Sequence, residues 1–316
     1  MQSAAISVNN LEKSYKNLKV LKEISFSVQK GSIFALLGPN GAGKTTIIKI
    51  LSTLLKPDQG SARVCGFDVI RQPENIREQI SLTGQNAAVD YILTGRENLH
   101  LIGKLRHLPD ANKKADALLE QFDLLEAADR QVATYSGGMR RRLDLAMGLL
   151  GAPSVVFLDE PTTGLDPQSR RAMWNVIKDL ARSGITVFLT TQHLEEADQL
   201  ADQIIILNKG KIVAKGTATE LKKLFSRGHI EIRFFNEKEL QSARVSLYDF
   251  GAYLDTENQT LTITTDSREM SRPPLGHSQH FQSIFAGFSS FSTATARRAA
   301  SIRPHSSAAH CSIAVI

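Results

Sequence analysis

The chain has 316 residues, 42% of them hydrophobic and 22% charged, which suits one large or two smaller globular domains with full cores. Its net charge of +6 comes largely from residues 270–316, which hold four arginines and no lysine, aspartate or glutamate. Residues 1–269 therefore carry only +2 and indicate no nucleic-acid partner. No apolar run approaches the roughly 20 residues of a membrane helix, and two distant cysteines, Cys65 and Cys311, exclude a disulfide framework.

The first part of the chain predicts a small sheet, then a buried strand, a glycine-rich loop and a helix. Residues 6–32 alternate well enough for an antiparallel sheet, and Ile33–Leu37 has the composition of a buried strand. Residues 61–69 and 80–85 predict two further strands. The helix after the glycine-rich loop is expected from about Gly43 to Leu55, with these residues on its buried face: Ile47, Ile48, Leu51, Leu54 and Leu55.

The middle of the chain predicts a helical segment followed by alternating strands and helices. Residues 86–150 have helical spacing throughout, and their last helix begins at Gly137. Residues 154–161 predict a buried strand, and the next helix is bracketed by Asp166, Pro167 and Gly184. Alternation continues to residue 216. This pattern indicates an α/β fold with a mostly parallel sheet.

The end of the chain differs in composition from everything before it. Residues 226–268 predict a small α+β appendage, with a strand at 229–235, a helix at 237–247 and a hairpin at 252–265. Residues 269–316 show no sustained period and are rich in serine. We interpret them as a disordered or non-native tail, the alternative being a basic segment that binds a surface.

A phosphate-binding loop follows the predicted strand Ile33–Leu37. The stretch "GPNGAGKTT" fits the pattern G-x-x-x-x-G-K-[ST], in which backbone N–H groups surround phosphate oxygens, Lys44 adds a cation and Thr45 offers a hydroxyl to Mg²⁺. A chance glycine turn is the alternative, but the strand before it and the apolar helix after it argue against that. The predicted nucleotide contacts here are Gly38, Pro39, Asn40, Gly41, Ala42, Gly43, Lys44, Thr45 and Thr46.

Two acidic residues end the predicted strand at 154–161. Asp159 is placed to hold Mg²⁺ through water, and Glu160 to polarise the attacking water. An acidic pair at a strand end is common without any such role. A phosphate loop nevertheless needs carboxylates of this kind, so we predict Asp159 as a metal residue and Glu160 as a catalytic one.

A second helix start with bare backbone N–H groups lies at Ser136, Gly137 and Gly138. Taken with the loop, it forms part of an ordered series: "GPNGAGKT", "SGGMR", "FLDEPTTGLDP" and "TTQH". This series resembles the ATP-binding cassette ATPases over about residues 3–225. The resemblance implies a P-loop NTPase core with a mostly parallel sheet, an antiparallel β subdomain and a helical subdomain at about 86–150.

The resemblance assigns roles that the residues alone do not. It implies that Tyr15 stacks on adenine, that Gln85 senses Mg²⁺ and a membrane partner, and that His193 reaches the γ-phosphate. Ser136, Gly137, Gly138 and Asp166 also match nucleotide-contacting positions. The ordinary alternatives are a strand tyrosine, a loop glutamine, a scaffold histidine and, for Asp166, a helix cap. The chain departs from the family at Met139, where glutamine is usual.

The resemblance further implies that two such chains pair head to tail, so that each Ser136 helix completes the ATP site of its partner. The cofactors are then ATP and Mg²⁺, and the partners a second ATPase subunit and a separate transmembrane permease. Membrane contact would be through the permease alone, at the cytoplasmic face. Residues 84–105, 136–150 and 189–202 resemble the daunorubicin-resistance group of drug exporters. Export of a lipid or polysaccharide, or a soluble non-transport ATPase, are the alternatives.

Overall fold

The computed structural model describes residues 4–85, 87–225, 227–234, 253–255, 260–266 and 311–315. The chain divides into two compact units, Met1–Leu221 and Lys222–Ile316. Sequence analysis places the corresponding boundary after residue 225. No helix among the described residues is both long and apolar enough to cross a bilayer.

An antiparallel sheet opens the first unit, with strand order β2-β1-β4-β5. Its strands are β1 (Ala4–Tyr15), β2 (Leu18–Gln29), β4 (Gln59–Val64) and β5 (Phe67–Asp68). The single strand expected over residues 61–69 is wrong. Cys65 and Gly66 adopt positive φ angles of 52° and 86°, which turn the chain back as a tight hairpin between β4 and β5.

A six-stranded sheet forms the centre of this unit, with strand order β10-β9-β3-β8-β7-β6. Adjacent strands are parallel along the sheet from β9 through β3, β8 and β7 to β6. The edge strand β10 is antiparallel to β9. This confirms the predicted α/β fold with a mostly parallel sheet. The strand bounds are β3 (Ile33–Leu37), β6 (Ile80–Thr83), β7 (Val155–Asp159), β8 (Thr186–Thr191), β9 (Gln203–Asn208) and β10 (Lys211–Gly216).

The central strands are buried on both faces, and alternate side chains enter two separate cores. On one face the ring of Phe188 packs between two others, with its centroid 5.1 Å from that of Phe34 and 5.5 Å from that of Phe157. On the other face Ala35 and Leu189 pack against the helical part of the unit. Both faces are apolar because a parallel sheet is covered on each side by helices or by a second sheet.

The helices within the first unit are α1 (Lys44–Leu51), α2 (Pro73–Gln79), α3 (Gly95–Leu105), α4 (Ala111–Gln121), α5 (Gly137–Leu149), α6 (Pro167–Arg182) and α7 (Leu194–Leu200), and α8 (Ala218–Phe225) spans the boundary after Leu221. The expected extension of α1 to Leu55 is wrong, because Thr53 adopts a left-handed φ of 66° just after the helix. The chain turns there, and Leu54 is 64% exposed instead of buried.

The helical segment is less continuous than the spacing predicts. Between α4 and α5 the chain forms two short 3₁₀ turns, Leu125–Ala127 and Val132–Thr134. α3 begins with a reciprocal cap, in which Thr94 accepts a hydrogen bond from the backbone of Glu97 while the Glu97 side chain accepts one from the Thr94 backbone. This cap explains why α3 starts at Gly95 and not in the apolar stretch before it.

The second unit contains a four-stranded sheet of order β12-β13-β11-β14. Its strands are β11 (Arg227–Phe234), β12 (Tyr253–Asp255), β13 (Thr260–Asp266) and β14 (Cys311–Val315), all antiparallel to their neighbours. β11 and the β12–β13 pair lie where a strand and a hairpin are expected. The predicted helix at 237–247 lies outside the described residues. So does residue range 269–310 of the predicted tail, whereas Cys311–Val315 pairs with β11.

Candidate functional site

The phosphate loop joins β3 to α1 and depends on its glycines. Gly41 and Gly43 have φ angles of +77° and +109°, which side-chain-bearing residues rarely adopt. A Cβ on Gly38 would lie 2.3 Å from the carbonyl oxygen of Leu207, and one on Gly43 would lie 2.7 Å from Leu21. Gly43 is also the N-cap residue just before α1, so no side chain caps the first-turn N–H groups. Those groups remain suited to binding an anion.

Lys44 is buried beneath this loop, with only 5% of its surface exposed. Its Nζ donates hydrogen bonds to the carbonyl oxygens of Gly38 at 2.7 Å and Pro39 at 3.2 Å. The same ammonium lies 3.4 Å from Oε1 of Glu160. The loop and the end of β7 therefore share one buried cation.

A hydroxyl and a carboxylate meet beside Lys44. Thr45 Oγ1 donates to Asp159 Oδ2 at 3.0 Å, and Thr190 Oγ1 donates to the other carboxylate oxygen, Oδ1. Asp159 is 5% exposed. Hydroxyl and carboxylate oxygens are the ligands that Mg²⁺ prefers, usually together with water and substrate phosphates. Thr45 and Asp159 therefore fit a magnesium ion bound next to the phosphate loop.

Glu160 follows Asp159 and is held in an unusual backbone conformation. Its φ of 53° is left-handed, and its side chain is 6% exposed. Oε1 accepts a hydrogen bond from Gln192 Nε2 at 2.8 Å, and Oε2 accepts a longer one from Thr163 Oγ1 at 3.4 Å. Left-handed residues other than glycine are concentrated at functional sites, where surrounding contacts hold them. Here the conformation fixes a buried carboxylate next to Lys44.

The start of α5 is built differently from that of α1. Ser136 caps the helix, its Oγ accepting from the Met139 backbone N–H at 3.2 Å. Ser136 and Gly137 are exposed, whereas Gly138 is buried, and a Cβ there would lie 2.5 Å from Ser169 Oγ on α6. Met139 is half-buried and packs against the core. The usual glutamine is thus replaced by a side chain that contributes packing.

Asp166 and His193 also begin helices. Asp166 Oδ1 accepts from the backbone N–H groups of Gln168 at 3.0 Å and Ser169 at 2.9 Å, and hydrogen bonds from Ser169 and Gln168 lower the pKa of its carboxyl. His193 precedes α7 and is exposed. Both positions suit contacts across a surface, and their roles toward a nucleotide stay predictions.

Tyr15 and Gln85 are both exposed, the first at the end of a strand and the second on a loop. Tyr15 ends β1 beside the turn into β2 and is 45% exposed. Gln85 is exposed just after β6, and its carbonyl oxygen accepts a hydrogen bond from Arg141 Nη1 at 3.3 Å. Adenine stacking by Tyr15 and Mg²⁺ sensing by Gln85 stay predictions.

Four residues described in this site have no role assigned from the sequence: Thr163, Thr190, Gln192 and Arg141. Gln192 precedes His193 in "TTQH", and nothing in the sequence except that position predicts its contact with Glu160. Arg141 did carry a signal. It lies three residues after Gly138 and four before Leu145, both of which are buried on the same face of α5.

Comparison with known proteins places these motifs in context. Residues 21–163 match the family model described as ABC transporter. The chain is 47% identical over 273 residues to the doxorubicin resistance ATP-binding protein DrrA of Mycobacterium tuberculosis, covering 85% of this chain and 81% of that protein. It is 45% identical to the daunorubicin/doxorubicin resistance ATP-binding protein DrrA of Streptomyces peucetius, covering 82% and 80%.

The fold is similar to that of solved cassette structures. A crystal structure of the ADP conformation of an ATP-binding cassette of an ABC transporter matches with a TM-score of 0.65 and 26% identity. The match covers 71% of this chain and 95% of that one. The described β-sheet core and its helices therefore have the architecture of a complete cassette.

Proposed function

Since the chain belongs to the ATP-binding cassette transporter family, we propose that it is the ATP-hydrolysing subunit of a membrane exporter of drugs such as daunorubicin and doxorubicin. One observation carries the chemistry: Lys44 and Thr45 of the phosphate loop lie within 3.4 Å and 3.0 Å of Glu160 and Asp159 at the end of β7. The identities to two drug-resistance subunits support the class of substrate.

The residues around the phosphate loop divide the work of binding. Backbone N–H groups from Gly41 to Thr45 and the ammonium of Lys44 bind the phosphates, and Tyr15 stacks on the adenine. Bound Mg²⁺ neutralises charge that develops on the transferred phosphoryl group, and Thr45 and Asp159 would hold that ion. Asp159 is kept in place for this by the Thr190 hydroxyl.

Glu160 orients the attacking water and accepts its proton. Gln192 and Thr163 hold the carboxylate from two sides, which limits its rotation away from the loop. His193, next to Gln192, lies at the exposed start of α7 and reaches the γ-phosphate. The arrangement places a base, a cation and a phosphate site at one sheet edge, as hydrolysis requires.

We further propose that two copies pair head to tail, with the exposed start of α5 from one copy facing the phosphate loop of the other. Ser136 and the N–H groups of Gly137 and Gly138 then bind the γ-phosphate of the partner's ATP. The pair docks on a separate permease at the cytoplasmic face of the membrane. Closure on ATP and release after hydrolysis drive the permease between its two open states.

The shared site is tested by mixing two inactive variants. Lys44→Ala damages the loop of one chain and Gly137→Asp puts a carboxylate where a partner's phosphate should bind. In a mixed dimer one site carries both lesions and the other carries neither, so ATPase activity should reappear. Differential tags verify that mixed dimers form. The shared site would be contradicted if verified mixed dimers showed no ATPase activity, or if Gly137→Asp alone hydrolysed ATP at a rate close to that of wild type.

Export is tested with the permease that copurifies with the tagged chain from solubilised membranes. Inverted vesicles that hold both proteins should accumulate doxorubicin when ATP is added, and vesicles with Lys44→Ala should not. If the vesicles instead took up a lipid or polysaccharide with ATP, drug export would be wrong and that compound would be the exported substrate. Hydrolysis with no membrane partner would favour the soluble ATPase class.

A further inference from the structure

Arg141 is a buried arginine on α5 whose side chain leaves the helix and reaches two catalytic loops. It is 6% exposed. Towards the end of β7, its Nε donates to the carbonyl oxygen of Pro161 at 3.1 Å, and its Nη2 donates to those of Asp159 at 3.3 Å and Glu160 at 3.5 Å. The guanidinium therefore binds the backbone of three consecutive residues that include the metal-binding and catalytic carboxylates.

The remaining nitrogen of the same guanidinium binds the segment after β6. Nη1 donates to the carbonyl oxygen of Gly84, and at 3.3 Å to that of Gln85. One planar group thus joins α5, the Gln85 segment and the Asp159–Pro161 segment. Arginine suits this position because its five N–H donors form a rigid fork, which a lysine ammonium cannot reproduce.

The charge of Arg141 is balanced from its own helix. Asp144 Oδ2 lies 3.7 Å from Nη1, and Asp144 Oδ1 accepts a hydrogen bond from the Ala88 backbone N–H at 3.1 Å. Burial raises the pKa of the Asp144 carboxyl and lowers the pKa of the Arg141 guanidinium, and their mutual attraction opposes both shifts. Asp144 therefore extends the same link to a second point of the loop after Gln85.

We infer that Arg141 is a positioning residue, which fixes the Gln85 segment to the Asp159–Pro161 segment so that movement of one displaces the other. Each of the five carbonyl oxygens would lose one hydrogen bond without it, although that of Glu160 keeps the backbone N–H of Thr163 at 3.3 Å. The left-handed Glu160 would then lose one of its backbone restraints. Arg141 touches neither the phosphate loop nor the Glu160 side chain in the described contacts, so its effect on hydrolysis is exerted through backbone position. The inference rests on hydrolysis at Glu160 but not on the exported compound.

The test compares Arg141→Met with Arg142→Met in the full-length chain. Arg142 is the matched control because it is the next residue of α5 but binds elsewhere, donating to the Phe122 carbonyl oxygen at 2.9 Å. Arg141→Met should lower kcat by roughly 10–100-fold, as small misplacements of catalytic groups do, with the Kd for ATP within about threefold of wild type. Amide hydrogen exchange should accelerate in both segments, 84–88 and 159–163. Arg142→Met should leave kcat and both segments unchanged.

Each other outcome counts against the inference. An unchanged kcat and unchanged exchange in Arg141→Met would overturn it, and an equal loss in Arg142→Met would assign the effect to α5 as a whole. Should Arg141→Met fail to fold, Arg141→Lys decides. It keeps the charge but has one nitrogen, so wild-type exchange in both segments would overturn the bridging role. A wild-type chain that hydrolyses no ATP would refute the proposed function, whereas the exchange measurement would still judge the link.

Discussion

The starts of α1 and α5 both carry glycines, and they differ in what surrounds them. At α1 the N-cap residue, Gly43, offers no side chain, and the adjoining Lys44 is buried against Glu160. At α5 the cap is the hydroxyl of Ser136, and Ser136 and Gly137 are exposed whereas Gly138 is buried. The first buried cation of α5 is Arg141, and its guanidinium binds backbone carbonyl oxygens of the Asp159–Pro161 segment instead of facing the helix start.

The difference indicates a division of labour. At the α1 start, N–H groups and the Lys44 cation lie beside Thr45, Asp159 and Glu160, which we propose as the metal-binding pair and the base. The α5 start has N–H groups and the Ser136 hydroxyl, which suits an anion whose remaining contacts come from elsewhere. The proposed head-to-tail pair would bring the two together. Of the two helix starts, α1 is therefore expected to be more sensitive to substitution, both in ATP hydrolysis and in stability.

The largest effect is expected at the acidic end of the α1 site. Glu160→Gln keeps the shape and can still accept from Gln192, but an amide cannot take a proton from water. We expect kcat to fall by roughly 10²–10⁴-fold with ATP binding retained, so that the variant collects as an ATP-held dimer. Steady-state ATPase assays and gel filtration with ATP measure both.

The control for this variant is Glu195→Gln, which makes the same chemical change at an exposed position on α7. Its turnover should match wild type. Turnover of Glu160→Gln within a few-fold of wild type would remove Glu160 from the role of base, whatever its contact with Lys44.

Much of this site was predictable because its motifs are read from local sequence. One strand of apolar residues leads into "GPNGAGKTT", and another ends at Asp159 just before Glu160. In a parallel sheet the carboxyl ends of such strands lie at the same edge. The contacts of Lys44 and Thr45 with these carboxylates are consistent with that expectation. The fold followed from the same strand–helix alternation.

What the sequence did not predict depends on tertiary contacts. Charged side chains are rarely buried, and the spacing of Arg141 with Gly138 and Leu145 does not identify the five backbone carbonyl oxygens that bind its guanidinium. Left-handed conformations at Thr53 and Glu160 follow from packing and not from propensity. The first ends α1 early, and the second aims the catalytic carboxylate.

Glycine replacement gives the next largest difference between the two helix starts. Gly43→Ala forces a side chain into a left-handed φ and against Leu21, so the free energy of unfolding should fall by about 2–4 kcal/mol. At Gly137, where the nearest atom to a new Cβ would be Leu165 Cδ2 at 3.9 Å, alanine should change it by less than about 0.5 kcal/mol. Urea unfolding followed by circular dichroism measures both.

Gly41→Ala separates strain from collision in this series. Its φ is also left-handed, but a Cβ there would meet nothing within 4 Å. An intermediate loss is therefore expected, of about 1 kcal/mol. Equal losses at Gly43 and Gly137 would show that the two starts tolerate side chains alike, and the structural half of the comparison would be wrong.

The last effect concerns the Ser136 hydroxyl that caps α5, where α1 has no side-chain cap. Ser136→Ala removes the acceptor of the Met139 N–H, which should lower the free energy of unfolding by about 1 kcal/mol, the usual value of a helix cap. Ser136→Thr keeps the acceptor and should recover most of that loss.

The second measurement on Ser136→Ala is the ATP concentration at half-maximal hydrolysis in the dimer. If Ser136 also faces the partner's nucleotide, that concentration should rise in Ser136→Ala beyond any change caused in Thr94→Ala, which removes an equivalent cap from α3. A loss of stability with ATPase kinetics equal to those of Thr94→Ala would reduce Ser136 to a cap, and the contrast with α1 would then rest on the backbone of Gly137 and Gly138.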